Sequence, residues 1–108
     1  MKTQKMVARG NGRLQNLIAL ARLYALAGVL DQARKAYKDA TEEIRATLGQ
    51  ESKYMPRALV EMGDFELQVA KNTAEGCRLL SDALRHALLE PDDRQRATTA
   101  VQTSCSLQ

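Results

Sequence analysis

The chain holds a single histidine, His86, and two cysteines, Cys77 and Cys105. His86 could do acid–base chemistry only beside an orienting carboxylate and a facing nucleophile, and no such set can be assembled around it. It reads as a partly exposed residue near the end of a helix. The cysteines show neither CxxC spacing nor His/Cys companions at zinc-ligand spacing. Cys77 falls in a core-facing row and reads as a small buried hydrophobe, while Cys105 lies near a fraying end. Gly10-Asn11-Gly12 precedes a helix but follows no strand, so it is not a phosphate-cradling loop. Glu42-Glu43 and Asp92-Asp93 read as solvated or helix-terminal acids. The expectation is therefore a non-enzyme: no catalytic residue, no metal site and no cofactor.

The elements that would position any surface chemistry are helices. At 108 residues the chain is one domain's worth, and 44% hydrophobic with 27% charged residues fits a soluble globular class. Aromatics are 4%, and two prolines and six glycines are the only strong punctuation. An all-β fold would need more β-branched residues and denser turn signals. Net charge is +3, but residues 1–13 hold Lys2, Lys5, Arg9 and Arg13 and no acid, leaving the remainder slightly acidic. A nucleic-acid binder would carry its basic stripe on folded elements as well, so nucleic acid is disfavoured as a partner. The first apolar run, Leu17 to Leu30, contains Arg22 and falls short of the roughly 20 residues of a membrane span. With no leader pattern read at the start, the chain is expected to be soluble, cytoplasmic and reduced.

Four blocks follow. Residues 1–12 lack periodicity and read as a flexible basic arm. Residues 13–49 form a helical hairpin. Leu14, Leu17, Ile18, Ala21, Tyr24 and Ala25 recur at one-face spacing, and Leu20, Leu23, Leu26 and Ala27 add apolar surface on a second side, so this helix should be covered from two directions. Gly28 stops it. Asp31 is placed to cap the next helix, whose apolar face is Ala33, Ala36, Tyr37, Ala40, Ile44 and Leu48, ended by Gly49. Asp31/Lys35 and Lys38/Glu42 stand at i,i+4 spacing on its other side. Residues 52–89 repeat the pattern. Ser52 is a plausible cap and Pro56 falls in a first turn; Ala58, Leu59, Met62, Gly63, Phe65, Leu67 and Val69 make a third helix. After a polar break at Lys71-Asn72-Thr73, a fourth runs from about Ala74 to Leu89, with Cys77, Leu80, Ala83, Leu84, Ala87 and Leu88 inward. Pro91 ends it. Residues 91–108 form a weak C-terminal capping helix and frayed tail, with Ala97, Ala100, Val101 and, at its end, Cys105 on one face and threonines that disfavour helix.

The two hairpins overlay. The offset is 42 residues from Leu17 to Leu59 and from Leu20 to Met62, and 43 from Ala33 to Gly76 and from Ala40 to Ala83. Ala21/Gly63 and Ala33/Gly76 stand where antiparallel helices need close backbone approach, and Tyr37/Leu80 would plug the next gap. The series Leu17, Leu20, Ala21, Tyr24, Gly28, Ala33, Tyr37, Ala40 resembles the tetratricopeptide repeat, in the long-period variety of kinesin light chains and bacterial regulators. The second copy departs from it, with Glu66 where the family prefers an aromatic. The resemblance covers about residues 14–89. It implies an all-α fold of two stacked antiparallel hairpins, a right-handed array, plus the C-terminal helix.

The same resemblance implies a concave partner-binding groove: Gln15, Ile18, Arg22, Ala25 and Leu26 from the first copy, and Arg57, Val60, Asp64, Leu67 and Gln68 from the second. Ile18 and Val60 stand where the family's carboxylate clamp wants polar residues, so a chaperone tail does not suit it. A peptide or helix with apolar anchors does. Alternatively the chain's own fifth helix, or a second copy, covers these residues. Two repeats are fewer than the three or so usually needed for stability, so a self-assembling oligomer or a fragment of a longer array stands beside the adaptor reading. A nucleic-acid-associated protein using the basic arm is the third.

Overall fold

The structure, a computed structural model, describes the backbone of residues 2–49 and 52–105, and side chains from Leu14 onward within those ranges. Five α-helices follow in order: α1 (Lys2–Ala27), α2 (Leu30–Thr47), α3 (Tyr54–Gln68), α4 (Thr73–Leu84) and α5 (Pro91–Ser104). The fold is all-α, with no strand among the described residues. No helix among them is long and apolar enough to cross a membrane. The chain divides into two compact units, Met1–Gly49 and Gln50–Gln108.

The first unit is an antiparallel hairpin of α1 and α2. Gly28 takes a left-handed conformation at φ +78°. Its amide donates to the carbonyl of Ala25, and that of Val29 donates to Tyr24, which satisfies the last carbonyls of α1. Ala21, Ala33 and Ala40 are fully buried, as the close-approach reading requires, and Ala36, Tyr37 and Ile44 are buried beside them. Leu48, expected on that face, is exposed. The helix α2 starts at Leu30 with Val29 at the cap, so Asp31 is not the cap residue. It lies in the first turn, where a carboxylate still meets the positive end of the helix, and pairs with Arg34 at 3.8 Å. Lys35 reaches forward to Asp39 at 3.0 Å.

Residues 2–12, expected as a flexible arm, have helical backbone continuous with the rest of α1. Helix extension adds one hydrogen bond per residue fixed once a nucleus exists, so Gly10 and Gly12 weaken the stretch without forbidding it.

The second unit contains α3, α4 and α5. Ser52 Oγ accepts the amide of Tyr54 at 3.1 Å, and Pro56 sits in the first turn of α3. The helices α3 and α4 cross at their glycines. A Cβ on Gly63 would stand 2.6 Å from Leu80 Cγ and 3.2 Å from the Gly76 carbonyl oxygen, and one on Gly76 would meet Leu67 Cγ at 2.6 Å. The α3–α4 turn places Lys71 in the left-handed region at φ 59°. Asn72 then caps α4, its Oδ1 accepting the Glu75 amide at 3.3 Å.

Helix α4 ends at Leu84, short of the expected Leu89. Ala87 and Leu88, expected inward, are exposed, whereas Leu89 folds back into the core. Pro91 does not terminate α4; it starts α5, where its fixed φ and missing amide suit the first turn. Arg94 holds the intervening turn by donating to the Leu84 and His86 carbonyls at 3.2 and 3.0 Å. The core of this unit is Val60, Leu67, Leu80, Ala83, Leu89 and Ala97, flanked by Leu59, Cys77, Leu84, Ala100 and Val101.

The cysteine expectation is corrected here. Cys77 and Cys105 form a disulfide, with Cα atoms 5.9 Å apart and a separation of 28 positions in sequence. Because α4 stops early and α5 doubles back along it, the end of α5 returns to the first turns of α4. A bonded pair persists in oxidising surroundings and is rare in the cytosol, so the reading of a reduced chain does not carry over.

Candidate functional site

The ten groove residues divide between the two units, each taken by itself. On α3, Val60 and Leu67 are 1% and 7% exposed and belong to the core. They are not groove residues. The alternative in which the fifth helix covers them is what the structure shows: α5 packs on α3, with fully buried Ala97 in the same core cluster. The flanking polar residues are used in that docking. Arg57 faces Asp93 at 3.9 Å, and Asp64 pairs with Arg96 at 2.5 Å. Burial raises the Asp64 carboxyl above its ordinary range, and Arg96 pulls only part of the way back. Gln68 remains exposed at the end of α3.

On α1 the arrangement is open. Ile18 and Ala25 are half-buried, and Gln15, Arg22 and Leu26 are exposed. Leu26 is 86% exposed, and beside it Leu23 is 63% and Leu20 42% exposed. The reason is register. Leu14, Leu17, Ile18, Ala21, Tyr24 and Ala25 fall on the side of α1 with the lower exposures, and Leu23 falls opposite them on the 3.6-residue period. Val29, just beyond the turn, is a further exposed apolar side chain. Sequence reasoning found these leucines as a second apolar side needing cover. Within the chain they are a surface.

His86 lies in the α4–α5 turn and is half-buried. Among the described residues no cluster of three or more His, Cys, Asp or Glu side chains could hold a metal ion. Every buried polar side-chain atom described has a hydrogen-bond partner, including those of Thr41, whose hydroxyl donates to the Lys38 carbonyl at 2.8 Å. The distinctive described feature is thus the row Leu20, Leu23 and Leu26, edged by Gln15 and Arg22. Scattered exposed leucines are ordinary, whereas Leu20, Leu23 and Leu26 share one side of one helix. No protein-family model, curated protein or solved structure matches the chain.

Proposed function

We propose that the protein is a non-enzymatic interaction module, an adaptor of the tetratricopeptide-like kind, whose binding element is the outer side of α1. The observation that carries this reading is the exposure of Leu20, Leu23 and Leu26 on one helix side. Burying such side chains against a partner is worth about 1.5–3 kcal/mol each relative to solvent, enough for three of them to anchor a modest complex. A helical or extended peptide with apolar anchors is the ligand class that suits a helix surface of this width. On α3, Val60 and Leu67 lie in the core of the second unit with Ala97, which leaves the leucine row of α1 as the binding element.

The test is site-specific photocrosslinking of the full chain in extract of its native cells. A benzophenone side chain at position 23 should crosslink to a discrete protein, and one at exposed Arg85 should not. Equal labelling at the two positions, or none at 23, would remove the adaptor reading.

A further inference from the structure

Helix α5 is held differently from the two helices it covers. Helices α3 and α4 interlock through Gly63 and Gly76, with Leu67 and Leu80 filling the crossing, and each buries several residues. Helix α5 buries one, Ala97. Its 14 residues include Thr98, Thr99, Thr103 and Ser104, which are poor helix formers, and isolated helices below about 12–15 residues are marginal in water. Its ion pairs to α3 use Arg57 and Arg96, both more than half exposed, and pairs of that kind contribute little. Arg94 fixes the N-terminal end of α5 by donating to the Leu84 and His86 carbonyls. The far end is held by partly buried Ala100 and Val101 and by the bond between Cys77 and Cys105.

That bond stands where it can be exchanged. Both cysteines are half-buried rather than enclosed in the core, and Cys105 is the residue that closes α5. Exchange requires a thiolate to reach a disulfide sulfur, and exposed disulfides are the ones open to reduction and regulation. The chain has two cysteines, so it offers no third thiol with which the pair could reshuffle. Within one chain the pair is therefore either closed or open, and the reductant comes from outside.

We propose that Cys77–Cys105 is a redox latch, opened by a dithiol reductant, that decides whether α5 covers the α3–α4 hairpin. A thiolate of the reductant attacks one cysteine sulfur; the Cys77–Cys105 bond breaks and a mixed disulfide forms. The second thiolate of the reductant then attacks the mixed disulfide, and the reductant leaves oxidised to its own disulfide. Two electrons and two protons pass to the chain, which keeps two thiols. Release of α5 uncovers Val60 and Leu67, while the glycine crossing keeps α3 and α4 paired. Because α5 remains tethered to α4 through the turn that Arg94 holds, reclosure by a small disulfide oxidant is intramolecular and favoured by effective concentration. The latch lies in the second unit and does not depend on the leucine row of α1.

The experiment uses the full chain purified without reductant. Maleimide titration should find no free thiol, and a non-reducing gel should show no dimer. Reduced dithiothreitol under native conditions should release both thiols. Amide exchange should then bring residues 91–105 within about tenfold of unprotected rates, with α3 and α4 exchanging faster but still protected around Gly63 and Gly76. Oxidised glutathione, added after dithiothreitol is removed, should restore the original pattern. A variant carrying Cys77→Ser and Cys105→Ser should show the opened pattern with or without dithiothreitol, which separates loss of the bond from other effects of the reductant. Free thiols or a disulfide between copies in the untreated chain would overturn the latch. So would a bond that dithiothreitol reaches only after denaturation, or α5 protection that survives reduction. Loss of all protection at Gly63 and Gly76 together with α5 would make the bond a staple of the whole unit, and the proposal would fall.

Discussion

Positions 18 and 60 correspond in the two copies of the repeat, as do 22 and 64, and 25 and 67. In the C-terminal unit these are Val60, Asp64 and Leu67; two lie in the core and the third is ion-paired to α5. In the N-terminal hairpin they are Ile18, Arg22 and Ala25, half-buried or exposed. Two similar hairpins thus differ in whether the chain supplies a third helix. Where it does, a disulfide and two ion pairs hold a poor helix former in place. Where it does not, Ile18 and Ala25 stay half-buried and Arg22 exposed, next to the separate row of Leu20, Leu23 and Leu26.

The sharpest way to break that comparison is to release α5. In the chain-entropy account, a crosslink closing a loop of 28 residues stabilises by about 3–4 kcal/mol. Cys105→Ser should therefore lower the denaturation midpoint strongly and speed amide exchange in α5 and along Val60 to Leu67. Exchange in α2 should change far less. Thiol titration of the unreduced native chain should find no free cysteine. If exchange in α5 is unaltered in Cys105→Ser, packing alone holds the cover.

A smaller effect probes the crossings that both units share. Ala33→Leu forces a large side chain into a site with no exposure and should cost about 1–3 kcal/mol. Gly63→Ala sets a methyl carbon against fully buried Leu80 and the Gly76 backbone. Overpacking should outweigh the helix-propensity gain of about 1 kcal/mol. Thermal melts of both variants check this, and an unchanged midpoint in either would mean that its crossing has slack.

These crossings were legible in the sequence because close approach selects residue types, Ala and Gly, at helical spacing. The inward rows of α1 and α2 were legible for the same reason. Much of the second unit was not. Nothing between Leu84 and Pro91 breaks the apolar period, so the turn at Arg85 left no compositional mark. With α4 drawn to Leu89, α5 could not be folded back onto it, and Cys105 had no route to Cys77. The covering of Val60 and Leu67 by the fifth helix stood among the sequence alternatives, but with α4 drawn too long nothing selected it over an open groove. The left-handed residue in the α3–α4 turn is Lys71, and without a glycine there the turn's geometry was unreadable. On α1 the leucines were visible as a second apolar side, but periodicity cannot say whether such a side is covered.

A smaller effect again tests the electrostatic part of the cover. Asp64 is held above its ordinary pKa by burial, with Arg96 lowering it in opposition. A carboxyl whose folded pKa is raised binds its proton more tightly in the folded state. Its contribution to stability is therefore present at low pH and is lost as pH rises through the folded value. Removing Arg96 takes away the opposing influence. Arg96→Ala should push the carboxyl higher still and destabilise at neutral pH by about 1 kcal/mol or less, since Arg96 is largely solvent-exposed. The loss should shrink in acid, once Asp64 is protonated in both states. Melts across the carboxylate range decide it, and an equal loss at acid and neutral pH would mean that Arg96 acts through packing.

The smallest expected effect on stability belongs to the surface on which the functional reading depends. Leu23 is 63% exposed and falls opposite the buried side of α1. Leu23→Gln keeps a good helix former of similar length and should shift stability by no more than about 0.5 kcal/mol, the usual range for surface changes. Binding should respond in the opposite proportion, because a polar amide carried into an apolar contact loses its water without gaining a partner. Melting temperature and crosslinking yield from neighbouring position 26, measured on the same variant, separate the two. A preserved melt with lost crosslinking makes the leucine row a recognition surface. A lowered melt would place Leu23 in the fold, and the two hairpins would then differ less in their cover than their exposures indicate.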